Sequence, residues 1–188
     1  TFEDQQDTFT DLGILMGLII ILVFIVMAAQ FESLTDPFVI MFSIPFAFTG
    51  VILGLAITQT PLGVMALIGV IMLMGIVVKN GIVLIDYTIL CRERGMSILT
   101  AAVAAGKSRL RPVLMTTLTT VLGMIPMAIG TGEGAEMWRS MGMTVAWGLS
   151  VSTLITLVIV PTVYCVFAGN GVKRRRRKIA RLNHLEQL

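Results

Sequence analysis

From Leu62 to Cys91 the chain runs for thirty residues with scarcely a break in its apolar character. Crossing about 30 Å of hydrocarbon takes about 20 helical residues, so this stretch is long enough to span a bilayer. Yet it carries Lys79, Asn80 and Asp86. Lys79 falls near the middle, where an ammonium is hardest to solvate; insertion scales put the cost at about 3 kcal/mol. A segment that keeps such a residue must give it a counter-charge, a water-filled cavity or a function. The remaining segments are expected to be arranged so that this lysine sits inside protein.

Four other apolar blocks accompany it, giving spans at about 11–30, 38–58, 62–91, 112–130 and 141–168. With 56% hydrophobic and only 13% charged residues, the chain lies outside the soluble range. Backbone polar groups in lipid must be satisfied within each segment, which helices achieve. The expected fold is therefore all-α, a polytopic membrane helix bundle of five transmembrane helices. A short amphipathic surface helix is added at about 96–107, where Ile98, Leu99, Ala102 and Val103 share a face. Residues 1–10 are expected as an extramembrane stub, and 169–188 as a basic tail.

Orientation follows from the cations. Arg92, Arg94, Lys107, Arg109 and Arg111 crowd the connection after the third span, and KRRRRK from Lys173 opens the tail. Cytoplasmic loops collect Lys and Arg, which puts both segments in the cytoplasm and the acidic amino terminus outside. The KRRRRK run reads as a topology anchor; a nucleic-acid or anionic-lipid patch is the alternative for such a run. The turn from Phe31 to Pro37 holds two acids and no base, a departure from the rule that short loops tolerate. The chain begins with Thr1 and shows no signal peptide, so a piece of a longer polypeptide is expected.

Close helix approach is expected at two small-xxx-small pairs, Gly13 with Gly17 and Gly50 with Gly54. Pro45 should bend the second span. In the fourth span Thr116, Thr117, Thr119 and Thr120 are dense. They either bond back to their own helix carbonyls or serve the neighbouring lysine helix. Cys91 and Cys165 read as packing residues, and His184 as a solvated tail residue. Nothing in the sequence has the form of a phosphate loop, a metal-ligand cluster or a nucleophile–base pair. No enzyme is expected, no cofactor and no nucleic acid.

An ionisable residue inside a span is by default a pathway, relay or counter-ion group. From mid-span, the lysine stem falls short of the interface it would reach by snorkelling. Asp86, seven residues on, is about 10 Å away along the same helix, too far for an ion pair. The counter-charge is expected on a helix outside this chain. Protonating that carboxylate would weaken its attraction to the lysine and so couple proton binding to helix movement.

The segments GIVVKNGIVLIDY, RLRPVLMTTLTTVLGMIPMAIGTGEGAE, VIVPTVYCVF and AAQFESLTDPFVIMFSIPFAFTGVILGL together resemble the resistance–nodulation–division (RND) efflux pumps. The likeness is to the inner-membrane permease subunits of the multidrug branch and covers the closing five spans of that family. It implies that Lys79 is the relay lysine, with Asn80 beside it, Thr116 as the hydroxyl of the relay and Arg109 at its cytoplasmic mouth. Asp86 and Thr120 are secondary candidates. It further implies a proton antiporter with H+ as coupling ion, and relay aspartates on the missing amino-terminal half. The implied partners are two more copies in a homotrimer, a periplasmic adaptor and an outer-membrane channel, with the lipid bilayer of a Gram-negative inner membrane around them. A metal-ion or lipid exporter of the same superfamily, or a non-transporting scaffold subunit, are the alternatives. The thirteen methionines scatter as packing and lipid-facing residues.

Overall fold

A computed structural model describes the backbone of residues 2–185 and the side chains of residues 3–170. Six helices follow in order: α1 (Phe2–Phe31), α2 (Thr35–Met41), α3 (Ile44–Thr58), α4 (Val64–Glu93), α5 (Ile98–Ile129) and α6 (Ala135–Leu185). Five stretches are long and apolar enough to cross a membrane, α2 and α3 forming one of them together. The α1–α2 turn and the α4–α5 turn lie at one end of the bundle, here termed the basic end.

Three boundaries differ from the sequence expectation. The segment 1–10 is helical and continuous with the first span, because α1 already begins at Phe2. Nor is the surface helix at 96–107 separate, since α5 runs unbroken from Ile98 through Pro112 to Ile129. A proline inside a helix removes one backbone hydrogen bond, and here the chain tolerates that loss without ending the helix. At its start the Ser97 hydroxyl accepts from the Thr100 N–H at 3.3 Å, a conventional N-cap. Finally, the expected tail continues as helix to Leu185. The side chains of KRRRRK and His184 lie outside the described residues.

The second span breaks where Pro45 predicts a bend. Phe42 and Ser43 separate α2 from α3, and Pro45 sits in the first turn of α3. Ser43 is wholly buried, and its hydroxyl donates to the Ile40 carbonyl at 2.6 Å. That bond satisfies a hydroxyl that would otherwise be stranded at the break.

Helix α6 is central: α3, α4 and α5 all pack against it. Small residues make these approaches close. A Cβ on Gly50 would lie 2.8 Å from the Val151 Cβ, and one on Gly54 would overlap the Trp147 Cβ. On α6 itself, a Cβ at Gly148 would collide with Leu73 and Val51, and one at Gly142 would lie 3.0 Å from the Ala128 nitrogen. The pair Gly50 and Gly54 thus acts as expected. Gly13 and Gly17 do not, for nothing lies within 4 Å of either Cβ position. Helix α1 attaches through Met16, Ile20, Val23, Met27 and Phe31, while Ile14, Leu15, Leu18, Ile21, Leu22, Ile25 and Val26 remain exposed.

Candidate functional site

Helix α4 has two unlike sides. Toward the bundle it buries Gly69, Leu73, Val77, Asn80 and Leu84, with Leu73 against Gly148 and Gly69 against Met141 and Thr144 of α6. Met72, Gly75, Lys79, Asp86 and Leu90 are exposed, and their spacing places them on one stripe of the helix. Lys79 stands about 22 Å along this thirty-residue helix. The helices of this chain therefore do not enclose the lysine, contrary to the expectation. It faces outward from their mutual packing, because the positions turned toward α6 are taken by small and apolar residues. Among the described residues, neither Lys79 nor Asp86 has a hydrogen-bond or ion-pair partner.

Asn80 follows Lys79 in sequence but is turned about 100° away by the helix. It is buried with only 8% of its surface exposed, on the same side of α4 as Gly69 and Leu73. The two neighbours thus serve different surfaces.

On α5 the threonines divide in the same way. Thr116 is exposed and donates to the Pro112 carbonyl at 3.0 Å; Thr119 donates to Met115 and Thr120 to Thr116. These are the back-bonds anticipated as one reading of the run. The Thr116 bond takes up a carbonyl near the proline. Thr117, which the sequence did not single out, is the buried member. Its hydroxyl pairs with that of Thr153 on α6 at 3.0 Å. The available signal was the matching hydroxyl density on α6, at Ser150, Ser152, Thr153 and Thr156. Thr156 is 3% exposed and its hydroxyl has no hydrogen-bond partner.

Toward the basic end Arg109 reaches from α5 to α4. Its guanidinium carbon lies 4.8 Å from the centroid of the Tyr87 ring, a cation–π contact of about 0.5–2 kcal/mol depending on desolvation. Its Nε is buried without a partner. Arg109 is thereby fixed beside the residue that follows Asp86. A second arginine, Arg92, donates to the Tyr164 hydroxyl at 2.9 Å and lies 5.9 Å from that ring. The structure therefore brings Arg109 to α4 at Tyr87, and leaves Lys79 without a hydrogen bond to Thr116 or Thr120, whose own bonds stay within α5.

This geometry offers one cation and one carboxylate, two turns apart, on an open helix face within a span. Such a face can exchange charge with a neighbouring helix; it has no nucleophile and no base pair for covalent chemistry. No group of three or more His, Cys, Asp or Glu suited to a metal ion occurs among the described residues. Cys91 and Cys165 are free.

A multi-pass helical membrane protein carrying mid-span charge on an unpartnered helix face is the class so defined. The family model for the AcrB/AcrD/AcrF family matches residues 1–168. The chain belongs to that family, and is part of an RND efflux permease. It is 43% identical over 176 residues to the swarming motility protein SwrC of Bacillus subtilis, covering 93% of this chain and 16% of SwrC. To the cobalt-zinc-cadmium resistance protein CzcA of Cupriavidus metallidurans it is 40% identical over 164 residues, 87% of this chain and 15% of CzcA. The multidrug resistance protein MdtC of Proteus mirabilis is 37% identical over 176 residues, 93% of this chain and 17% of MdtC. In three dimensions it matches the crystal structure of a heavy metal efflux pump. The TM-score is 0.81 at 32% identity, over 89% of this chain and 17% of that one. The chain thus spans about a sixth of the length of these relatives.

Proposed function

We propose that this chain is the carboxy-terminal membrane portion of a proton-driven efflux permease that exports drugs or other amphiphilic compounds. In this reading it lies in a bacterial inner membrane with its basic end in the cytoplasm. Lys79 is the relay cation and H+ the coupling ion, with Asn80, Thr116 and Arg109 in the relay, and Asp86 and Thr120 secondary to them. The single observation that supports this most is the exposure of Lys79 at mid-length of α4, on a face that no helix of this chain covers. About 3 kcal/mol is at stake for a lysine at that depth; a carboxylate brought by another helix offsets it. When protons neutralise that carboxylate, the attraction to Lys79 weakens and the helices separate.

The remaining partners follow the same reading: the amino-terminal half with its paired aspartates, two further copies in a homotrimer, a periplasmic adaptor and an outer-membrane channel. Substrate class has a second reading, since CzcA and the heavy metal efflux pump stand as near as MdtC. Metal cations would then be the cargo.

The test is Lys79→Ala in the full permease, reconstituted in vesicles with an imposed pH gradient. Proton-driven export should fall by at least tenfold while the protein still inserts. Full export by the alanine variant would overturn the relay. Competing drug and divalent-cation substrates in the same vesicles decides between the two cargoes.

A further inference from the structure

At the basic end, five helices converge on an open-mouthed cavity of about 820 Å³, a size typical of small-molecule sites. Its polar lining includes one cation, Arg92, and two carboxylates, Asp36 and Glu93; the apolar lining includes Phe31, Ile89 and Phe167. None of these residues belongs to the relay proposed above.

Arg92 is held in place. Tyr164 accepts a hydrogen bond from it at 2.9 Å and presents its ring at 5.9 Å, so the guanidinium is set before any ligand arrives. A fixed guanidinium suits a phosphate, which it binds with paired, charge-assisted hydrogen bonds. Asp36 from α2 and Glu93 from α4 line the same cavity and oppose a bare anion, because like charges at close range are unfavourable. A ligand that satisfies both must carry a phosphate and an ammonium a few ångströms apart.

The mouth adds a further constraint. Phe167 meets Phe38 edge to face with centroids 5.8 Å apart, and the two rings are 42% and 51% exposed. Aromatic residues gather where spans leave the hydrocarbon, and this pair offers an apolar surface beside the charged lining. The occupant therefore has acyl chains as well as a zwitterionic head.

We propose that this cavity binds a phosphatidylethanolamine-type phospholipid, with its phosphate on Arg92, its ammonium on Asp36 and Glu93, and its chains along Phe38 and Phe167. The site is separate from the relay, so its failure would leave the proton-transport reading standing.

The experiment uses the full permease in nanodiscs containing equal amounts of phosphatidylethanolamine and phosphatidylglycerol, followed by native mass spectrometry of retained lipid. Wild type should retain the ethanolamine lipid about tenfold over the glycerol lipid, the scale of one charge-assisted contact. Asp36→Asn should bring the two near parity, since only the ammonium distinguishes them. Arg92→Gln should lower retention of both, because both carry the phosphate. If Arg92→Gln fails to fold, the Asp36→Asn comparison alone decides. Equal retention by wild type, or an unchanged preference in Asp36→Asn, overturns the proposal. Soluble glycerophosphoethanolamine should not displace the lipid; displacement at equal concentration would show that the site reads a free head group and would overturn the lipid assignment.

Discussion

Gly54 offers the sharpest test of the packing. A methyl group there would overlap the Trp147 Cβ and lie 2.5 Å from its Cγ and 3.0 Å from its Cδ1. Comfortable carbon contacts are about 3.5–4.0 Å, so Trp147 must retreat by about 1 Å. Its Cβ is anchored to the α6 backbone and cannot swing aside; α3 and α6 must separate instead. Overpacking of this kind costs about 1–3 kcal/mol, while alanine regains about 1 kcal/mol of helix propensity over glycine. Because the helix backbones themselves must move, the overpacking cost falls in the upper part of that range, about 2–3 kcal/mol, and Gly54→Ala should be destabilising by about 1–2 kcal/mol net. The unfolding midpoint of the purified protein in detergent, followed by tryptophan fluorescence, should fall by about 2–8 °C on the scaling for chains of this size. A double-mutant cycle isolates the cause. Trp147→Gly removes the obstructing side chain, so Gly54→Ala should cost nothing further in that background. The reasoning fails if Gly54→Ala keeps the wild-type midpoint, or if its cost is the same with and without Trp147.

Thr117→Val should destabilise by about 0.5–1.5 kcal/mol by leaving the buried Thr153 hydroxyl unpaired. Thr117→Val with Thr153→Val should cost less than the sum of the two, as read by the same melt. Thr116→Val should leave stability within about 0.5 kcal/mol, because its hydroxyl is exposed and bonded only to its own helix. A loss of proton-driven export in that variant would then report on the relay. Arg109→Lys should loosen the α4–α5 contact by about 0.5–1 kcal/mol, since an ammonium lacks the planar face that stacks on Tyr87; hydrogen exchange at the basic end of α5 should accelerate. Ser43→Ala should lower the midpoint by removing the buried hydroxyl bond to Ile40 at the break between α2 and α3, a loss of about 1 kcal/mol.

Length and apolarity made the spans readable, because a bilayer sets a minimum number of helical residues. Lys79 and Arg109 were readable for a related reason: charge in or beside an apolar block is expensive enough to draw attention. The rotation of each helix was not readable. Thr116 and Thr117 are adjacent and chemically alike, and only the position of α6 decides which is buried. Likewise Gly13 with Gly17 and Gly50 with Gly54 share one pattern, yet only the second pair has a helix against it here. Pro112 opens the fourth span expected at 112–130, and it explains why a separate surface helix at 96–107 is expected before it. Local chemistry favours a fresh helix start there, but the helix continues through it.

That continuity sets a length. Thirty-two helical residues extend about 48 Å, well beyond about 30 Å of hydrocarbon. Arg109 on Tyr87 and Thr117 on Thr153 therefore ride on one continuous helix longer than the hydrocarbon is thick, with Pro112 between them. Both contacts tie α5 to its neighbours, one to α4 and one to α6, so the register of this single helix sets the two together.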